Sequence, residues 1–97
     1  MSLRCYLVTY DISSPKRWRQ VFKEMKGFGE HVQLSVFRCD LTARQRVMMR
    51  NRMEEILHHQ EDQLLIVDLG PSTEKVIAGI EIVGRPRRFR RPGSNVV

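Results

Sequence analysis

The sequence Leu-Arg-Cys-Tyr-Leu-Val-Thr-Tyr-Asp at residues 3–11 carries the strongest structural signal in this chain of 97 residues. It is rich in β-branched and aromatic types, so residues 3–10 are predicted as the first strand, with Asp11 at its C-terminal end. Side chains alternate between the two faces of a strand, and here both faces carry apolar residues: Cys5 and Leu7 on one, Tyr6, Val8 and Tyr10 on the other. The first strand therefore predicts a sheet that is covered on both sides.

Beyond Asp11 the sequence alternates between helical and strand patterns. Ser14 followed by Pro15 is typical of a helix start, and apolar residues at helical spacing extend the predicted helix over 15–27. The same criteria predict the remaining elements, which are strands at 30–33 and 35–41, a helix at 43–60, a strand at 64–69 and a short fifth strand at 80–83.

The order β-α-β-β-α-β predicts an α+β fold in which right-handed crossovers place both helices on one face of an antiparallel sheet, the ferredoxin-like arrangement. Residues 1–84 are predicted to form this single domain. One short chain has nothing left to cover the second apolar face, so we expect a homodimer packed sheet against sheet, with Tyr6 and Val8 near the interface. The extra C-terminal strand would extend the sheet edge of the partner.

Charge is concentrated near the C-terminus. The chain carries 17 Lys and Arg against 11 Asp and Glu, a net charge of +6, which falls to +1 without the arginines at 85, 87, 88, 90 and 91. Residues 85–97 are predicted to be a basic, flexible tail. It either binds a polyanion, for which nucleic acid is favoured, or is only a solvated end.

Composition also indicates where the protein works. No apolar run approaches the roughly 18 residues needed to span a membrane, and the N-terminus lacks the pattern of a signal peptide. We therefore expect a cytoplasmic protein with no membrane partner. The two cysteines and three histidines lack the clustered spacing of a metal site.

Asp11 is the first candidate for chemistry. A carboxylate at a strand end beside a helix start either binds a ligand or makes the side-chain hydrogen bonds of a turn. If strand one runs toward a dimer axis, two Asp11 side chains converge, and two close carboxylates require a cation or a proton between them. Mg²⁺ fits, because it takes one or two carboxylates and completes its shell with water and phosphate oxygens. Such an ion could activate water for hydrolysis of a phosphodiester bond.

Basic residues at the start of helix one are the second candidate. Lys16, Arg17 and Arg19 oppose the positive end of the helix dipole, which indicates either phosphate binding or a merely solvated face. Ser35, at the start of strand three, is expected near Asp11 because strands one and three are neighbours in this topology.

Several residues together resemble a known family. Tyr10-Asp11-Ile12, the stretch Gly29-x-x-Val32-Gln33-x-Ser35-Val36-Phe37 and Leu41-Thr42 resemble CRISPR-associated protein 2, the small subunit of the CRISPR spacer-acquisition machinery, and Ile82-Val83-Gly84 continues its layout. The resemblance implies a ferredoxin-like homodimer whose two Asp11 residues bind one Mg²⁺, with Tyr10, Ser35 and Phe37 beside the site. It also implies metal-dependent endonuclease activity on RNA or double-stranded DNA.

The same resemblance implies partners and one departure. In the acquisition complex the dimer bridges integrase subunits and holds the DNA that is to be inserted. The family often has an acidic residue after Val-Phe, whereas this chain has Arg38, which is expected to add to a positive, nucleic-acid-binding surface. Two alternatives stay open: a non-catalytic DNA-bridging scaffold of the same fold, and an unrelated ferredoxin-like RNA-binding or regulatory module.

Overall fold

One four-stranded antiparallel sheet forms the centre of the protein. The structure is a computed structural model and describes residues 2–93. The sheet has the order β2-β3-β1-β4, and its strands are β1 (Arg4–Asp11), β2 (Glu30–Gln33), β3 (Val36–Leu41) and β4 (Gln63–Pro71). β1 pairs with β3 on one side and with β4 on the other. The predicted α+β, ferredoxin-like arrangement is confirmed.

Two helices cover one face of the sheet. Helix α1 (Pro15–Met25) is capped by Ser14, whose hydroxyl accepts a hydrogen bond from the backbone N–H of Arg17. Helix α2 (Ala43–Ile56) begins with a reciprocal capping box between Thr42 and Gln45. Both helices end earlier than predicted: α1 gives way to a turn after Met25, and the backbone at Leu57 is already extended.

The core lies between the sheet and these helices. Tyr6, Val8 and Tyr10 of β1 point into it, together with Val21, Met25, Phe37, Cys39, Leu41, Met49 and Met53. Val8 has no exposed surface and Tyr6 only 4%. The expectation that Tyr6 and Val8 lie near a dimer interface is therefore wrong. Both faces of β1 are apolar, so alternation alone did not identify the face that the helices cover.

The opposite side of the sheet, here called the open face, carries the odd-numbered residues of β1. It is covered unevenly. Cys5 is buried, whereas Leu65 and Val67 of β4 are 50% and 41% exposed. Large apolar side chains so exposed on a flat surface are unfavourable in water, which agrees with the prediction that this face needs cover.

Cover for part of the open face comes from the C-terminal segment. After β4 the chain forms a short helix, α3 (Glu74–Ala78), and residues 80–83 have no regular structure. The fifth strand predicted there is not formed within one chain, because the segment crosses the face of the sheet and does not run along an edge, where backbone partners are free. Residues 87–93, here called the strap, contact β2 and β3.

The strap corrects the expectation of a flexible tail, since the chain is anchored as far as Gly93. Residues 94–97 of the predicted tail lie outside the described residues. Among the described residues, no helix is long and apolar enough to cross a membrane.

The assignment of faces predicts the effect of two neighbouring substitutions in β1. Val8→Ala removes two methyl groups from a fully buried site, so we expect the free energy of unfolding to fall by about 2 kcal/mol. Thr9→Ala, on the open face, should cost well under half as much. Urea denaturation at one fixed protein concentration measures both. A neutral Val8→Ala would contradict the assignment.

Candidate functional site

Asp11 stands at the C-terminal end of the central strand with its carboxylate unused. It pairs through the backbone with Gln63 of β4 and is exposed. The cap of α1 is Ser14, so Asp11 does not serve as the helix cap. Within residues 2–93, no hydrogen bond or ion pair engages the Asp11 side chain. Of the two alternatives for Asp11, the side-chain hydrogen bonds of a turn are therefore not formed, and the carboxylate is available to a ligand.

The loop that follows Asp11 is fixed by a residue that sequence reasoning missed, Asp62. Its carboxylate accepts hydrogen bonds from the backbone N–H of Ser13 at 3.1 Å and of His58 at 2.9 Å. Arg17 Nε donates to the same carboxylate at 2.7 Å. The side chain of Asp62 is inaccessible to solvent. One carboxylate thus ties the β1–α1 loop to the turn before β4, and the backbone at Asp11 is held from both sides.

Arg17 is therefore a structural residue, which corrects its prediction as a phosphate contact. Besides Asp62, its guanidinium contacts Glu61 Oε1 at 3.0 Å. The Arg17 hydrogen bond, supported by the two backbone N–H donors, holds the pKa of Asp62 far below its usual range despite burial. A guanidinium neutralised by two carboxylates has little attraction left for a phosphate.

Aromatic residues support the site from beneath. The Tyr10 ring packs 6.3 Å from the rings of both Trp18 and Phe37, and burial raises the pKa of the Tyr10 hydroxyl to about 12. Ser35, expected near Asp11, accepts a hydrogen bond from Trp18 Nε1 at 2.8 Å, and its carbonyl accepts one from the backbone N–H of Tyr10. Tyr10, Ser35 and Phe37 therefore hold the end of β1 in place: the two rings lie in the core, and the half-buried Ser35 hydroxyl is bonded to Trp18.

An exposed row of cations runs along α1 from the Asp11 end. Lys16, Arg19, Lys23 and Lys26, here called the basic ridge, follow one another at intervals of three, four and three residues, which places them on one helix face. None forms an ion pair with another described residue. The sequence prediction included Lys16 and Arg19 and missed Lys23 and Lys26, although their helical spacing was legible.

The second half of helix α2 shows the opposite arrangement. Arg50 pairs with Glu54 at 2.9 Å, and Arg52 pairs with Glu24 at 2.6 Å. These arginines are exposed, but acids already neutralise them. Arg44 and Arg46, near the start of α2, form no ion pair with another described residue, so the cations without an acidic partner lie mainly along α1, with two more at the start of α2.

Arg38 is buried, and its prediction as a nucleic-acid contact is wrong. Its side chain is 2% exposed and lies on the open face between Glu30 and Asp40, each at 2.8 Å. Sequence reasoning missed both acids. Asp40 lies two residues along β3 from Arg38 and therefore on the same face, whereas Glu30 comes beside Arg38 through the pairing of β2 with β3. The alternation of β3 could have revealed Asp40, whereas Glu30 depends on the register of the β2–β3 hairpin, whose turn no Gly or Pro marks in the sequence.

A single chain offers no complete metal site. Within residues 2–93, no three His, Cys, Asp or Glu side chains are grouped so that they could hold an ion. Asp11 supplies one unengaged carboxylate, and any further ligands must come from water, substrate or a second copy.

The fold and this strand-end carboxylate define a small ferredoxin-like protein with an acidic site beside a basic helix. Residues 4–76 match the sequence model of CRISPR-associated protein Cas2, and the chain belongs to that family. The resemblance recognised in the sequence is confirmed. Family membership excludes the alternative of an unrelated RNA-binding or regulatory module.

Relatives and solved structures agree with this assignment. The chain is 49% identical to a CRISPR-associated endoribonuclease Cas2 of Rhodospirillum rubrum, covering 82% of this chain and 78% of that protein, and 45% identical to one of Geobacter sulfurreducens, covering 82% and 83%. A structure of a hypothetical protein from Thermus thermophilus superimposes with a TM-score of 0.77 at 31% identity, covering 91% and 99% of the two chains. Streptococcus pyogenes Cas2 gives 0.74 at 32% identity, covering 82% and 99%.

The Asp62 contacts predict a dependence of stability on pH. The pKa of Asp62 is lower in the folded than in the unfolded chain, so the ionised group stabilises the fold above about pH 4, and this stabilisation is lost as the pH falls through the folded pKa. Asp62→Asn should lower the free energy of unfolding at pH 7, and the difference from wild type should shrink at pH 3. Glu61→Gln, at the exposed partner of the same arginine, should cost less. Urea unfolding at both pH values tests this, and a difference that did not change with pH would contradict it.

Proposed function

We propose that this chain is a CRISPR-associated endonuclease that hydrolyses phosphodiester bonds at Asp11. The main support for this proposal is the exposed Asp11 carboxylate, which no described residue engages. The buried carboxylate of Asp62 fixes the loop that follows Asp11. The names of its curated relatives support ribonuclease activity, and the basic ridge suits RNA or double-stranded DNA equally, because phosphate contacts carry no base information.

The active unit in this proposal is a homodimer formed through the open face. Leu65 and Val67 are exposed there, and Val83, in the segment that crosses the face, is 91% exposed. Between that segment and the sheet lies a cavity of about 600 Å³, lined in part by Leu7, Val36 and Ile82. A second copy that packs on this face would bury the apolar residues that one chain leaves in water.

Asp11 belongs to the same open face, since it shares the alternation of Leu7 and Thr9 along β1. Dimerisation through this face would bring two Asp11 carboxylates toward a common axis. Mg²⁺ fits such a donor set, because it binds through one or two carboxylates and keeps several waters. When bound, the ion would supply charge neutralisation at the scissile phosphate and an activated water. The role of this chain is to hold the two carboxylates rigidly and to place the substrate backbone on the basic ridge.

The protein is also proposed to act in spacer acquisition, as a bridge between integrase subunits that holds DNA. The observation that favours a binding role independent of hydrolysis is the basic ridge, whose cations do not contact Asp11 and extend along α1 away from it. A non-catalytic scaffold would need the ridge and the dimer but not the carboxylate. The two functions therefore make different demands on two sets of residues.

Asp11→Asn separates catalysis from binding. The amide keeps the shape but removes one negative charge per subunit, and neutral oxygens substitute poorly for the carboxylates of Mg²⁺. We expect Mg²⁺-dependent cleavage to fall by several orders of magnitude, with binding retained. Cleavage and binding are measured on one preparation, with and without EDTA, and sedimentation checks the dimer. Glu55→Gln, at an exposed acid of helix α2 on the other side of the sheet, is the control and should cleave normally. Full activity of Asp11→Asn would place the chemistry elsewhere, and a wild type that binds but never cleaves would favour the scaffold.

Lys16→Gln combined with Arg19→Gln tests the basic ridge. If both cations contact phosphates, affinity for duplex DNA should fall and the slope of log K against log salt should decrease by about 1.8, at about 0.9 per contact. The matched control is Arg50→Gln with Arg52→Gln, which removes the same charge from arginines that acids already pair. Titrations by fluorescence anisotropy between low and moderate salt give both slopes. Equal losses for the two pairs would show that net charge matters and the ridge does not.

A further inference from the structure

We propose that Glu30, Arg38 and Asp40 form a buried charge lock that holds the strap closed on the open face, with Arg87 and Arg90 as its structural cations. The second half of the inference rests on the proposed binding of nucleic acid: Arg85 and Arg88, and not Arg87 and Arg90, are the polyanion contacts of the C-terminal segment.

The lock consists of three ionisable side chains with almost no access to water. Glu30 is 5% exposed, Arg38 2% and Asp40 0%. Two carboxylates and one guanidinium leave a net negative charge in this buried group. A buried charge is costly unless it is paired and its hydrogen bonds are satisfied. The two buried carboxylates therefore need a further positive group and N–H donors on the open face of the sheet.

The strap supplies both guanidinium groups and backbone N–H donors to these carboxylates. Arg87 places its guanidinium 3.5 Å from Glu30 Oε2 and also donates to the carbonyl of His31. The backbone N–H of Arg90 donates to Glu30 Oε1 at 3.2 Å, and its side chain lies 3.9 Å from Oε2. The backbone N–H of Gly93 donates to Asp40 Oδ2 at 2.9 Å.

Contacts in the reverse direction make the closure reciprocal. Arg38 Nη2 donates to the carbonyl of Arg90 at 3.3 Å. The Phe89 ring lies 5.9 Å from the guanidinium of Arg38 and 5.7 Å from that of Arg87, so it interacts with a cation of the lock and a cation of the strap. Asp40 is held from outside the strap as well, by the hydroxyl of Ser72 at 2.7 Å. Charge, backbone donors and an aromatic ring thus all specify one position of the strap.

Arg85 and Arg88 differ from the cations of the lock. Both are exposed, and neither has a hydrogen bond or an ion pair with another residue in the described range. A phosphate can approach them without breaking an existing pair. For Arg87 and Arg90 to bind phosphate, the strap would first have to open and leave Glu30 with fewer partners.

The experiment compares two double variants of the full chain that remove the same charge. Arg87→Gln with Arg90→Gln should speed exchange of the backbone amide hydrogens at positions 90 and 93 by about tenfold or more, because charge-assisted contacts that close the strap are lost. The same variant should leave the salt slope for a short DNA duplex unchanged. Arg85→Gln with Arg88→Gln should leave exchange unchanged and lower the slope by about 1.8.

The two measurements separate failure of this inference from failure of the proposed function. Unchanged exchange in Arg87→Gln with Arg90→Gln overturns the lock, whether or not the protein binds nucleic acid. A lower slope in that variant, equal to that of Arg85→Gln with Arg88→Gln, overturns the division of the arginines. If wild type binds no duplex, the proposed function fails, and accelerated exchange still supports the lock.

Glu30→Gln provides an independent test from the side of the sheet. It removes the charge that Arg87 and Arg90 neutralise, so exchange at Arg90 and Gly93 should accelerate. Arg87 and Arg90, released from Glu30, could then contact phosphates. The salt slope should therefore become steeper than that of wild type. A slope equal to that of wild type together with normal exchange would overturn the lock.

Discussion

The backbone of β1 is hydrogen-bonded on both sides, to β3 and to β4, and the rest of the molecule depends on this register. A slip of one residue against either neighbour would exchange the two faces of the strand, because side chains alternate with a period of two. It would move Val8 out of the core and Cys5 into it. The same register sets Asp11 at the end of the strand on the open face. Core composition and the position of the acidic site are therefore two consequences of one pairing.

The two helices cover one face of the sheet, and the open face must be covered in another way. The structure divides the open face into a charged half, where Glu30, Arg38 and Asp40 lie beneath the strap, and an apolar half around Leu65 and Val67. The charged half is closed by the chain itself. The apolar half is the part that the proposed homodimer would cover. This division explains why the chain retains an exposed apolar surface although it already folds back over its own sheet.

Much of the fold was predictable because its elements are short and locally coded. The strand pattern before Asp11 and the cap at Ser14 were legible, and β-α-β-β-α-β order leaves few topologies. The errors at the two arginines share an origin in pairing between elements, which the pattern within one element does not show. Arg17 reads as a free cation until Asp62, 45 residues away, is placed beside it, and Arg38 reads as surface until β2 brings Glu30 to it. Asp11 was found because its signal, a carboxylate ending an apolar strand, is local.

Gly29 belongs to the motif by which the family was recognised. The structure shows that glycine is needed there because no side chain would fit. A Cβ at this position would lie 2.4 Å from the carbonyl oxygen of Arg38 and 2.6 Å from the sulfur of Cys39. Any side chain would push the start of β2 away from β3, and Glu30, the next residue, would leave Arg38. A screen that scores only loss of phenotype would rank position 29 with Asp11, although one is required for assembly and the other is proposed for chemistry. Protein abundance in the cell would distinguish them, since a misfolded Gly29 variant would be degraded, whereas an Asp11 variant would accumulate in full.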